Sequence, residues 1–195
     1  MKNFNEFPLL QIKMVTPLIK NNLVHRNHLI DRIEKGIEYG FVLVSAPPGY
    51  GKTTLVADWA HHSKTPVAWL SLDAYDNDPL IFSRYIKQLL DKTFFSTNHS
   101  QLNLPSEIDS NGNYPATLAA LINNFSESTT DFTLILDDYH NIKNKQIHES
   151  IIYLLDHFPD HLRLVIITRS DPPFPLARLR VNHRITELRA EDLAF

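Results

Sequence analysis

The chain has 195 residues, 43% of them hydrophobic, with a net charge of −3 and no cysteine. That length buries one core and leaves little for a second complete domain. The lack of thiols excludes disulfides, thiolate metal sites and cysteine nucleophiles, and fits a reducing, cytoplasmic setting. Lys and Arg form no long run, so this chain itself is expected to make no contact with DNA. Its start has no apolar core of signal-peptide length, and no segment approaches the roughly 20 apolar residues of a membrane-spanning helix, so no membrane role is expected.

In chain order, Asn27 is placed to cap a helix whose Leu29, Ile30, Ile33 and Ile37 share one face. Gly40 then turns the chain into the apolar run Phe41 to Val44. After a glycine-containing loop, Leu55, Val56, Trp59 and Ala60 recur at helical spacing, with the His61–His62 pair at an exposed helix end. The stretch Val67 to Leu72 reads as a strand, which completes one βαβ unit. Asp78 before Pro79 starts a further helix with Phe82, Tyr85, Ile86, Leu89 and Leu90 inward. Lys92 to Asn113 is polar, turn-rich and aperiodic, and reads as an exposed connection. A helix from about Pro115 to Phe125, a strand Thr133 to Leu136, a helix Gln146 to Phe158, a strand Leu164 to Thr168 and a strand Ile185 to Leu188 follow. Short buried strands alternating with helices predict an α/β fold, a parallel sheet covered on both faces.

The loop "APPGYGKTT", Ala46 to Thr54, carries the chemistry. It meets the distal half of the phosphate-loop pattern G-x-x-x-x-G-K-[ST] between a strand and a helix, the context that pattern requires. Gly49 and Gly51 let backbone N–H groups turn toward phosphate oxygens, Lys52 reaches the β- and γ-phosphates, and the Thr53 hydroxyl suits Mg²⁺. Pro48, Tyr50 and Thr54 complete the expected nucleotide contacts. Ala46 stands where the pattern opens with glycine, and its methyl group is tolerable wherever φ stays negative. In "FTLILDDYH" an apolar strand ends in Asp137, expected to hold Mg²⁺, and Asp138, expected to position water or act as a base. "LVIITRS" brings Thr168 and Arg169 to the same edge, where Arg169 can stabilise γ-phosphate charge. No guanine-recognition sequence occurs, because "NKQI" at Asn144 to Ile147 lacks the final carboxylate, so adenine is the expected base. His157 and His161 are separated by Pro159 and make no helical metal pair.

Together "NNLVHRNHLIDRI", "APPGYGKTTLVADWA", "WLSLDAYDNDPLIFSRYI", "LILDDYHNI", "LVIITRSDPPFPLARLR" and "EDLAF" resemble the nucleotide-binding module of the MalT-like branch of LuxR-type bacterial transcription activators, a group of STAND-class P-loop ATPases. The resemblance runs from about Val15 to Phe195. It implies a P-loop NTPase three-layer sandwich with a five-stranded parallel sheet of order 5-1-4-3-2, with residues 1–25 leading into the adenine side and 26–195 forming the NTPase domain. It also implies bound ADP at rest, slow Mg²⁺-dependent ATP hydrolysis, self-association of the full-length protein with ATP, and Arg26 as a base- or ribose-side contact. At the position before that arginine, where the family usually has a small residue, this chain has His25. Family members continue into a lid, a winged helix, sensor repeats and a DNA-binding domain, so the chain is expected to be a fragment that meets DNA only through that absent domain. Two alternatives stay open at this point: a module in which the nucleotide is structural and never turned over, and a small-molecule P-loop kinase. A kinase would carry arginines in its lid, and Lys92 to Asn113 has none.

Overall fold

The computed structural model describes residues 8–19, 24–97 and 131–194. Five parallel strands run β1 (Phe41–Ser45), β2 (Val67–Ser71), β3 (Phe132–Asp137), β4 (Leu162–Thr168) and β5 (Ile185–Leu188), in the spatial order β2-β3-β4-β1-β5. This is the expected order 5-1-4-3-2 read from the other edge. The helices are α1 (Asn27–Glu38), α2 (Lys52–His62), α3 (Pro79–Thr97), α4 (Lys145–Asp156), α5 (Leu176–Val181) and α6 (Ala190–Leu193).

Alternation along each central strand sends neighbouring side chains to opposite faces, and both faces are buried. Phe41, Leu43, Leu134, Leu136, Leu164 and Ile166 join one core with residues of α3 and α4. Val42, Val44, Ile135, Val165 and Ile167 join the other with Leu29 and Ile33 of α1 and Leu55, Val56 and Trp59 of α2. Such strands cannot alternate apolar with polar, which is why they read as continuous apolar runs. Gly40 turns into β1 at φ +98, a conformation that disfavours any side chain.

Several element ends differ from the sequence reading. The N-cap of α1 is Arg26 rather than Asn27, and it makes no side-chain capping bond. Asp78 does cap α3, accepting from the backbone N–H of Leu80 and Ile81. That helix extends to Thr97, so the first residues of the expected connection at Lys92 are helical. Thr93 donates to the Leu89 carbonyl one turn back, a bond that lets a polar residue continue a helix. The rest of that connection and the expected helix Pro115 to Phe125 lie outside the described residues.

The N-terminal segment is anchored at the β2 edge of the sheet. A short 3₁₀ turn, Gln11–Met14, buries Met14 and brings Lys13 to Asp76 and to Asp73, the latter at 3.0 Å. The Lys13 ammonium also lies 5.0 Å from the centre of the Tyr85 ring. Asp76 is 1% exposed, so removing its cation leaves a buried charge uncompensated. Lys13→Ala is therefore expected to cost about 3–5 kcal/mol, read as a fall in the urea midpoint. An unchanged midpoint would show that the segment is not held by this pair.

Candidate functional site

The sheet register brings the ends of three strands to one edge. Ser45 of β1 is paired with Thr168 of β4, and β3 runs beside β4 with Leu136 against Ile166, so Asp137 follows beside Ile167, one residue short of that level. The loop 46–51 leaves this edge and feeds α2. Ala46 is buried, and among the described residues only Asp138 and His183 combine a side chain with positive φ, so the methyl group of Ala46 sits in ordinary backbone. Gly49 and Gly51 have φ of +88 and +73, and a Cβ at either would meet nothing within 4 Å. The loop thus bends as only glycine readily allows, around open space. Pro48 is exposed and Tyr50 packs its ring against the core under α2, while Thr54 is exposed on the first turn. Gly51 gives α2 no side-chain cap, so the first N–H groups of that helix are left for another acceptor.

Five polar side chains converge where loop, β3 and β4 meet. Lys52 is buried and donates to the Pro47 carbonyl across the loop at 2.9 Å. Burial, then the charge of Arg169, pulls the Lys52 ammonium below its ordinary value, against the opposing pull of Asp138 and Asp137. The Thr53 hydroxyl donates to Asp137 Oδ1 at 3.1 Å, and the same oxygen accepts from the Asp138 N–H at 2.8 Å. Burial, reinforced by the neighbouring Asp138 charge, pushes Asp137 up to about 6. Asp138 itself is left-handed, φ 54 and ψ 37, a conformation tolerated by aspartate and frequent where a side chain is aimed at a ligand. Arg169 is exposed just past β4, near enough to act electrostatically on Lys52 and His140. Asp137, Asp138, Lys52, Thr53 and Arg169 are thus brought together at one edge. Arg26 stands apart, at the start of α1, with its Nη1 donating to the Leu193 carbonyl at 2.8 Å.

Two features escaped the sequence reading. His140 lies with Nδ1 3.7 Å from Asp138 Oδ1; that nitrogen is buried and has no hydrogen bond, and burial holds the ring below the ordinary histidine value. Its place two residues after Asp138 in "LDDYH" was the available signal. Behind the loop, Ser45 donates to Asp171, which pairs with Arg189, and Arg189 also pairs with Glu187. Glu187 further binds Arg180 at 2.6 Å, and Arg178 pairs with Asp156, so both arginines of "LARLR" are engaged in ion pairs.

The donor set suits a cation that brings its own ligands. No cluster of three metal-ligating side chains occurs among the described residues. One hydroxyl and one or two carboxylates beside a glycine loop match Mg²⁺, which takes few protein ligands and completes its shell with phosphate oxygens and water.

The profile of the AAA ATPase domain family matches residues 24–167. The chain belongs to that family. The HTH-type transcriptional regulator MalT of Serratia proteamaculans is 36% identical over 191 residues, 96% of this chain and 20% of that protein. The same regulator of Vibrio parahaemolyticus is 36% identical over 189 residues, 94% of this chain and 20% of that protein. The chain therefore spans about a fifth of the length of the curated relatives it matches. Among solved structures, Cdc6p of Pyrobaculum aerophilum superposes with a TM-score of 0.58 at 16% identity, over 92% of this chain and 49% of that one. A STAND protein with a tetratricopeptide repeat sensor from Pyrococcus horikoshii gives 0.57 at 14% identity, over 89% of this chain and 24% of that one. These likenesses establish the fold of an AAA ATPase domain. No helix among the described residues is long and apolar enough to cross a membrane.

The raised value of Asp137 has a measurable consequence for stability. Between the ordinary value of 3.8 and about 6 the folded state holds a proton that the unfolded state has released. Stability therefore falls as pH rises through that window, by an amount on the order of 2–3 kcal/mol. In Asp137→Asn the amide oxygen can accept the same two hydrogen bonds and carries no charge. Urea titrations of that variant are expected to lose this decline and to show a more stable protein above about pH 7. An unchanged pH slope would contradict the assignment.

Proposed function

We propose that this chain is the adenine-nucleotide-binding switch domain of a MalT-like transcription regulator. The observation that carries the reading is the hydrogen bond from Thr53 of the loop helix to Asp137 at the end of β3, with Lys52 and Arg169 at the same edge. In this arrangement Gly49, Gly51 and the first turn of α2 would cradle the phosphates, flanked by Pro48, Tyr50 and Thr54. Lys52 would exchange the Pro47 carbonyl for β- and γ-phosphate oxygens. Thr53 and Asp137 would hold Mg²⁺, which neutralises phosphate charge and would draw Asp137 back to its ionised form. Asp138, with His140 beside it, would orient the attacking water for slow hydrolysis, and Arg26 would contact the base or ribose.

The regulatory role rests on the MalT relatives. Exchange of ADP for ATP would shift the full-length protein toward self-association, with DNA contacted by another part of it, in the cytoplasm. A ligand shifts such an equilibrium only through contacts that differ between the states. Arg169 is the group that would meet a γ-phosphate and little of ADP. Lys52, by contrast, would touch both nucleotides. The contrast makes the test. Calorimetric titration in Mg²⁺ is expected to show Lys52→Ala weakening ATP and ADP alike, by roughly ten- to hundredfold for one lost charge-assisted contact. Arg169→Ala is expected to weaken ATP while leaving ADP nearly intact. Unchanged affinities in Lys52→Ala would overturn the nucleotide reading, and equal losses in Arg169→Ala would remove the sensing role from that residue.

A further inference from the structure

A cavity of about 530 Å³ opens between two connections that leave the same edge of the sheet, and the nucleotide reading makes no use of it. One wall is the chain after β3, the 3₁₀ turn Tyr139–Asn141 and the first turns of α4; the other is the chain after β4, from Thr168 to Pro173. None of Gly49, Gly51, Lys52, Thr53 or Asp137 lines it, so it lies beside the phosphate edge and not within it. Its size falls in the range of small-molecule sites, roughly 300–1,000 Å³.

The walls fix the chemistry of an occupant. Tyr139, Ile142, Ile152, Pro172 and Pro173 give the cavity an apolar lining. Tyr139 Oη lies 2.9 Å from His148 Nδ1, so these two buried polar groups satisfy each other. Burial holds the rings of His140 and His148 below the ordinary histidine value, and the charge of Lys143 pushes both the same way, so the two histidines of the lining are neutral near pH 7. The remaining charges cancel except one. Lys145 pairs with Glu149 at 3.1 Å, and Asp171 pairs with Arg189. Among the lining residues only Lys143 carries a charge with no ion-pair partner among the described residues. Its charge is felt by both His140 and His148, which places it over the cavity rather than away from it.

We infer that this cavity binds a small organic anion, one carboxylate on a flat apolar body, with the carboxylate at Lys143 and the apolar body against Ile142, Ile152 and Pro172. Burial of the lining favours an apolar body, the one unpaired cation favours a single negative charge, and a second charge would lose its hydration without finding a partner. The site goes beyond the nucleotide reading and does not rest on it. Its walls nevertheless adjoin the phosphate edge, because His140 follows Asp138 by two residues and Thr168 and Ser170 flank Arg169. An occupant would touch the segments that present both of those groups.

The probes are 1-naphthoate and 1-naphthamide, which share their rings and differ in charge, each titrated by calorimetry into protein without nucleotide. The native protein is expected to bind naphthoate saturably. Lys143→Gln should weaken naphthoate by about fivefold and leave naphthamide unchanged, and Lys143→Arg should keep the native affinity. Lys143 is exposed, so both variants are expected to fold, with an unchanged urea midpoint as the check. In protein labelled in its histidine rings, naphthoate should shift the NMR signals of His140 and His148. The rings of His25 and His62, which meet near the C-terminal end of α2, should stay in place. No saturable binding of naphthoate, equal losses of both probes or no loss of either in Lys143→Gln, or shifts that miss His140 and His148 would each overturn the inference. All of these outcomes leave the Mg²⁺-ADP titrations untouched, so failure here is distinguishable from failure of the nucleotide reading.

Discussion

The hydrogen bond between Thr53 and Asp137 joins two parts of the chain separated by 84 positions in sequence and 3.1 Å in space. It exists because the parallel register sets the ends of β1, β4 and β3 at one edge, so the helix that leaves β1 starts within reach of the carboxylate that ends β3. That register is in turn held by two cores, one on each face, into which the apolar residues of the central strands pack. A slip of one residue would exchange the faces of a strand and also move Asp137 away from Thr53. Fold and site are therefore specified by the same packing.

The charges at this edge are arranged for something that is neither protein nor bulk water. Burial makes the Lys52 ammonium less favourable and the Asp137 carboxylate less favourable, and the two do not neutralise each other by direct contact. Lys52 instead spends its donor on a loop carbonyl, and Asp137 receives a hydroxyl and an amide N–H. Each is held in place without satisfying its charge, which would leave both available to a phosphate with its metal ion. Asp138 in a left-handed conformation and His140 with a buried nitrogen that bonds to nothing belong to the same pattern. Local rules are broken where the surrounding structure over-determines the geometry, and function is the usual reason.

Much of this was legible in the sequence because the signals are local. Gly49, Gly51, Lys52 and Thr53 sit side by side, and apolar runs ending in Asp137 and Thr168 announce strands and their edge. The strand near Ile185 to Leu188 was also legible, as a short β-branched run after the polar turn at Asn182 and His183. What failed to show depends on distance. Asp58 occupies a position in "LVADWA" that looks like a solvated helix face, yet it is buried and its hydrogen-bond partner, His25, lies 33 residues earlier. The anchoring of Lys13 by Asp76 spans 63 residues and leaves no periodic trace. The N-cap of α1 was misplaced by one residue because Asn27 is a good capping residue, yet the packing of Leu29 and Ile33 sets the helix start one residue earlier.

Glycine is scarce enough here to test the account directly. The chain has five glycines, two of them in the loop that would cradle phosphate and others in α1 and before β1. Protein labelled with ¹⁵N only at glycine therefore gives an amide spectrum simple enough to assign, and Mg²⁺-ADP can be titrated into it. The account predicts large, saturable shifts of the Gly49 and Gly51 amides, with Gly36 and Gly40 nearly unmoved. Loop signals that stay in place at saturating nucleotide, or shifts spread equally over the glycine amides, would contradict it.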